Sequence, residues 1–140
     1  MTVRVRRAFE FDAPPEAVWE FIADPAKRAE AISVVERYEV DEDTGSATWH
    51  VSLPIPLVKS TAPVETEDVQ RDPPRYVKFV GKSKLMRVTG EHTIEETETG
   101  SRLVNEFIVD GRLPGVEQFF KRNLDRELEN LEAALRAELS

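Results

Sequence analysis

His50 and His92 are the only side chains in this 140-residue sequence that titrate near neutral pH, and there is no cysteine. Neither histidine sits in a His-Glu-x-x-His pattern. Without thiolates the common zinc and iron–sulfur ligand sets are also excluded, so neither a metal nor a cofactor is expected. What remains is polar chemistry set into an apolar wall. Met86, Val88, Gly90, His92 and Ile94 share one parity of a strand-like stretch, while Arg87, Thr89 and Glu91 share the other. The apolar set therefore carries His92 inward. There it reads either as a rim histidine bonded to backbone or as a general base, since imidazole exchanges protons near neutrality. Leu103, Asn105, Phe107 and Val109 also share a parity. If that parity faces inward, Asn105 is a hydrogen-bonding group for a ligand. Ala47, Trp49, Val51 and Leu53 share a face and turn His50 outward.

A third candidate lies near the C-terminus. At helical spacing, Glu127 falls between Phe120, Leu124 and Leu131 in an apolar stripe, with Asn123 beside it. A buried carboxylate without a partner is costly. Glu127 should therefore pair with a sheet arginine such as Arg87, take a raised pKa inside a cavity, or meet water. The candidate catalytic residues are His92, Asn105 and Glu127. Together with Asn123, Val88 and the aromatic set Trp19, Trp49, Phe79, Phe107, Phe119 and Phe120, they form the expected ligand-binding surface.

Period-two alternation marks residues 3–11 as a strand, with Val3, Val5, Phe9 and Phe11 on one parity. Asp12 followed by Ala13-Pro14-Pro15 is a helix-start signal, with Asp12 able to cap free N–H groups. Val18, Trp19, Ile22 and Ala23 share a helical face. Asp24-Pro25 should end that helix, and Pro25 to about Ile32 can form a second. The pattern then turns to strands: 34–40 and 47–53 as a hairpin across Asp43-Thr-Gly45, then 58–70, 76–81, 84–95 and 102–113. Pro63 predicts that 58–70 is an edge strand or carries a bulge. After Pro114-Gly115, apolar residues from Val116 to Leu135 recur at steps of three and four. A helix of ~24 residues there would span ~36 Å, enough to cross a whole sheet.

This order, one strand, two short helices, six strands and a long helix, specifies an α+β fold. A curved seven-stranded antiparallel sheet should wrap the last helix. One helix leaves part of such a sheet uncovered, which predicts a ligand cavity between the two. The length fits one domain over residues 1–140. With 27 Asp+Glu against 19 Lys+Arg, the net charge of −8 opposes nucleic acid and anionic membrane surfaces. No run approaches ~20 apolar residues, so stable membrane insertion is not expected and a cytoplasmic location is.

The stretch "FEFDAPPEAVWEFIADPAKRAE" resembles the N-terminal signature of the START-like, helix-grip superfamily. The superfamily includes lipid-transfer domains, pollen-allergen-like proteins, polyketide cyclases and a group named for a carbon monoxide dehydrogenase component. The matching residues are Phe9, Phe11, Ala13-Pro14, Val18-Trp19, Phe21-Ile22 and Asp24-Pro25. Gly100-Ser-Arg-Leu103 and the closing helix are similar as well. The resemblance covers essentially the whole chain and implies a cavity that binds a hydrophobic small molecule or lipid. The alternatives it implies are a polyketide cyclase or dehydratase-like enzyme using polar groups in that cavity, and an assembly factor for a partner enzyme. These motif residues are structural. None carries a catalytic role onto this sequence.

Overall fold

In a computed structural model that describes residues 2–55 and 61–139, the chain begins with β1 (Thr2–Phe11) and the helices α1 (Pro15–Ile22) and α2 (Pro25–Ala31). Next come β2 (Val35–Val40), β3 (Ala47–Val51), β4 (Ala62–Asp72), β5 (Tyr76–Lys82), β6 (Met86–Glu96) and β7 (Ser101–Gly111), and then α3 (Val116–Leu139). The strands form one antiparallel sheet in the order β1-β7-β6-β5-β4-β3-β2. Strands β2 to β7 follow as neighbours, and β1 returns to pair with β7 along its whole length, from Thr2 opposite Asp110 to Phe11 opposite Ser101. β1 and β2 are the two edges.

Strict alternation in β6 and β7 buries Met86, Val88, Gly90, His92 and Ile94 on one side, with Ser101, Leu103, Asn105, Phe107 and Val109 beside them. From α3 the residues turned to that face are Val116, Phe120, Leu124, Glu127, Leu128, Leu131 and Leu135. The helix pair is set by its prolines. Pro15 occupies the first turn of α1, where no intrahelical N–H bond is lost. Asp12 does not cap that helix: the N-cap is Pro14, which has no side-chain bond to offer. The capping acid is Asp24, whose Oδ1 accepts from Ala26 N at 2.9 Å and starts α2 immediately after α1 ends.

Two expectations need correction. β4 as a whole is not an edge strand, because it lies between β3 and β5; it does carry a bulge, a register shift between Asp68 and Gln70, but away from Pro63. Pro63 itself pairs with His50 of β3, while the β5 ladder starts only at Glu65, so the proline sits where β4 has a single neighbour. The first residues of the strand expected over 58–70 lie outside the described residues.

The second correction concerns the cavity. Among the described residues, the space between sheet and α3 holds two small voids, of about 30 Å³ and about 10 Å³. The space is filled by rings: Trp49 of β3, Phe79 of β5, Phe107 of β7 and Phe120 of α3 are all buried. α2 adds Ala29 and Ala31, and Ile32 follows it. One helix does leave the sheet incompletely covered, but aromatic side chains take up most of the difference in this conformation.

Gly90 makes that filling possible. It lies directly opposite both Phe79 and Phe107, and an added Cβ would overlap the Phe79 ring and fall 2.8 Å from Phe107 Cε1. Replacing Gly90 by Ala is expected to cost about 1–3 kcal/mol through displacement of packed rings. Urea titration of the variant checks this; an unchanged midpoint would show that the rings are free to move.

Candidate functional site

The inward face of the central strands carries a polar cluster inside an aromatic frame. His92 and Asn105 are register partners on β6 and β7, and their side chains meet there, with His92 Nδ1 2.7 Å from Asn105 Oδ1. Both residues are buried, at 1% and 0% exposure. The His92 ring stacks on Phe79 with centroids 6.0 Å apart and meets Phe107 edge-on at 5.6 Å. Trp49 packs against Phe79 at 5.6 Å, so four adjacent rings cross from β3 to β7.

Arg28 reaches this frame from α2. Its guanidinium carbon lies 4.9 Å from the centre of the Phe79 ring, Nη2 donates to Asp68 Oδ1 at 2.5 Å, and Nη1 donates to the Ile22 carbonyl at 3.2 Å. Asp68 Oδ2 takes a second ion pair from Arg71 at 2.9 Å. Arg28 and Asp68 are both almost wholly buried, which makes this a paired internal charge.

Glu127 is buried on α3, yet it has no arginine. Ser33, in the exposed turn between α2 and β2, donates to it twice: the main-chain N–H to Oε2 at 2.7 Å and the hydroxyl to Oε1. Arg87, the partner anticipated from sequence, points to the other side of β6 because its parity is opposite to that of Met86 and Val88. Two charge-assisted bonds from one residue meet the carboxylate's need for donors.

The two voids meet at a partition. The larger is lined by Val34, Trp49, Val51, Met86, Val88, Val109, Phe120 and Leu124, and the smaller by Arg28, Phe79, His92 and Leu131; Ile32, Phe107 and Glu127 border both. Asn105 is bonded to His92 but is not itself among the residues lining either void. Three anticipated residues lie elsewhere. Trp19 is half-buried with the Arg71 guanidinium 5.5 Å from its ring centre, Phe119 packs on Phe120, and Asn123 turns its amide back to the Phe119 carbonyl of its own helix at 2.8 Å. His50 faces out and pairs with Glu39.

Sequence reasoning missed Arg28, Asp68, Ile32 and Ser33. A signal existed for Asp68, which shares the parity of Val64 and Thr66 and so predicts an inward acid in need of a cation.

Four buried polar atoms of this region have no hydrogen-bond partner among the described residues: His92 Nε2, Asn105 Nδ2, Arg28 Nε and Trp49 Nε1. Such atoms are rare in a folded interior and mark places where a bound molecule or ordered water completes the bonding. The described residues hold no cluster of three or more His, Cys, Asp or Glu suited to a metal ion.

The family model for polyketide cyclase/dehydrase and lipid transport proteins matches residues 2–136. The chain belongs to that family. Its fold is the START-like helix-grip fold seen in several solved structures. The Zhui aromatase/cyclase of Streptomyces sp. R1128 is similar with a TM-score of 0.77 at 17% identity, over 99% of this chain and 94% of that one. A Thermus thermophilus protein has a TM-score of 0.72 at 20% identity over 100% of both chains. A START superfamily protein of Mycobacterium smegmatis has a TM-score of 0.72 at 13% identity, over 96% of this chain and 94% of that one. No curated protein matches the sequence significantly. Family membership supports a ligand-binding or cyclase-like role. Among the described residues no helix is long and apolar enough to cross a membrane.

Burial, reinforced by the positive charge of Arg28, pushes the pKa of His92 from 6.5 down to about 3, against the opposing pull of its bond to Asn105. The folded protein thus keeps His92 neutral where the unfolded chain protonates it. Between about pH 6.5 and pH 3 the unfolded state binds the extra proton, so this contribution to stability is present above pH 6.5 and is lost as the pH falls. Urea midpoints for wild type and His92→Gln between these limits check the sign. Wild-type stability is expected to fall more steeply on acidification, by up to about 1.4 kcal/mol per pH unit; parallel curves would mean that His92 protonates freely in the fold.

Proposed function

We propose that this protein binds a hydrophobic small molecule or lipid between the sheet and α3, with the apolar body in the larger void and a polar end toward His92 and Asn105. The observation that carries this reading is the set of buried, unpartnered polar atoms beside an apolar gap, in a chain whose family covers cyclases and lipid transport. A purely structural core would leave fewer such atoms, because each costs about 1–3 kcal/mol when unpaired.

Voids of about 30 and 10 Å³ admit no such molecule without movement. The wall best suited to move is the turn from α2 into β2. Ile32 and Val34 line the larger void from this turn, Ser33 is exposed, and β2 is an edge strand with a register shift near Val35. Opening here breaks the two Ser33–Glu127 bonds, draws Ile32 away from the border between the voids and joins them, while the central ladders stay intact.

A cyclase or dehydratase-like enzyme is the second reading. It is favoured by His92, held neutral with one ring nitrogen unpartnered, and by Glu127 bordering the same void, an arrangement suited to general acid–base work. An assembly factor receives no comparable support. Val69 is the only exposed large apolar side chain among the described residues.

Solvent extraction and mass spectrometry of the purified protein should recover a near-stoichiometric apolar compound, or else the emptied protein should take up an apolar fluorophore. Absence of both would overturn the binding reading. Ser33→Ala, which removes one bond to Glu127, is expected to accelerate fluorophore uptake in stopped-flow measurements and to lower stability by about 1.5–3 kcal/mol. Unchanged uptake would place the opening elsewhere.

A further inference from the structure

We propose that the open edge of β2 pairs with β2 of a second copy of this chain, antiparallel and centred on Tyr38, so that two seven-stranded sheets run on as one. An open strand edge presents unpaired N–H and C=O groups, which folded proteins usually cover or block. The β1 edge is guarded in both ways. Arg136 of α3 donates to the Glu10 carbonyl at 3.2 Å, and Asp125 of α3 holds Arg7. With Arg4 and Arg6, the strand also carries like charges that oppose a second β1. β2 lacks this protection. It contains no proline or lysine, and β3 is its only neighbour in the sheet. Its one irregularity, between Val35 and Arg37, leaves Arg37 to Val40 in regular register.

One bond shows which main-chain groups stand open. Asp41 N–H donates to the Ser46 carbonyl at 2.8 Å across the hairpin. With a period of two, Glu39 and Arg37 therefore also turn their main-chain groups to β3, while Tyr38 and Val40 turn theirs to the open side. A symmetric pair centred on Tyr38 brings these groups face to face. The two Tyr38 residues exchange both bonds, and Val40 meets Glu36 of the second copy.

Side-chain charge selects the same register. Arg37 and Glu39 are exposed on the outer face, where Glu39 pairs with His50. Among the described residues Arg37 has no ion pair within its own chain. Centred on Tyr38, each Arg37 lies opposite Glu39 of the second copy, and the two-fold symmetry makes this contact twice. Centring on Arg37 or on Glu39 sets like charges opposite each other. Centring on Val40 sets Glu39 against Asp41, and centring between residues sets open main-chain groups against engaged ones. Only Tyr38, among the residues of the regular stretch, satisfies both the main chain and the charges.

A six-residue edge makes less than a standard protein interface, so the dimer is weak and forms at micromolar concentration and above. Sedimentation equilibrium at about 0.15 M salt, where repulsion between two acidic copies is screened, tests this. Wild-type protein should pass from monomer to dimer as its concentration rises. Arg37→Glu and Glu39→Arg each set like charges opposite one another and should weaken self-association about tenfold or more. An equimolar mixture of the two variants should associate again, since one edge then offers two acids and the other two bases. Amide hydrogen exchange at Tyr38 and Val40 should slow as wild-type dimer forms, a reading that needs no variant to fold. The proposal is overturned by wild-type protein that stays monomeric at about 0.5 mM, by a dimer indifferent to both substitutions, by a mixture that stays monomeric, or by exchange at Tyr38 and Val40 that dimerisation leaves unchanged.

Discussion

The buried ion pair between Arg28 and Asp68 is the interaction on which the rest of the inner architecture depends. α2 is only seven residues long and has little apolar surface of its own, so hydrophobic burial alone would hold it weakly. Arg28 ties it to the sheet at β4, caps the Ile22 carbonyl at the end of α1, and spreads its charge over the Phe79 ring. Removing either partner would leave an uncompensated charge in the interior, the costly form of disruption. The same pair sets the electrostatics of the cluster. Arg28 opposes a second positive charge on His92, while Asp68 offsets Arg28 and keeps the site close to neutral.

That neutrality bears on how the concave face is covered. A helix of 24 residues crosses a sheet of seven strands and shares the task with two short helices. Rings from β3, β5 and β7 make up the shortfall, and the absence of a side chain at Gly90 gives two of them room. The packing is tight over the middle of the sheet and weaker toward the β2 edge, where a polar contact between Ser33 and Glu127 stands in for interlocked apolar surface. Water entering an opened turn can replace hydrogen bonds of this kind, whereas separating packed rings exposes apolar area that water does not compensate. The wall most easily opened is therefore the one closed by Glu127.

Much of the fold was legible because it rests on local periodicity. The strict alternation of β6 and β7, the proline punctuation at Pro14-Pro15 and Asp24-Pro25, and the three-and-four spacing of α3 each have a direct physical meaning, and the element order followed from them. Parity also placed His92 inward and made Asn105 a candidate for the same face. Their meeting depends on register, which pairs residue 92 with 105 and which no single strand encodes. Asp12 misled because a capping acid is plausible before any proline-led helix, while the cap that forms is Asp24. Glu127 was recognisable as an anomaly in an apolar stripe. Its partner was not, since Ser33 lies 94 residues earlier in a turn whose position is fixed only by the packing of α2. Arg28 escaped notice for a related reason: seven helical residues are too few to define an apolar face.

The buried cluster makes most sense as a device for selectivity. An apolar gap alone separates ligands poorly, because one added or missing methylene changes binding only modestly. Polar atoms held without partners behave differently, since any molecule that displaces water from them without replacing its bonds leaves a desolvated group behind. The cost falls on the wrong ligand, while the right one recovers bonds the fold has left open. His92 and Asn105 can hold such bonds open because their own mutual bond, the aromatic frame and the absence of net charge fix their positions before anything binds. A charged pair in the same place would attract counter-charges of many shapes. A neutral pair with one donor and one acceptor rewards a particular pattern of hydrogen bonding, and in an acidic protein it does so without depending on the long-range field of the surface.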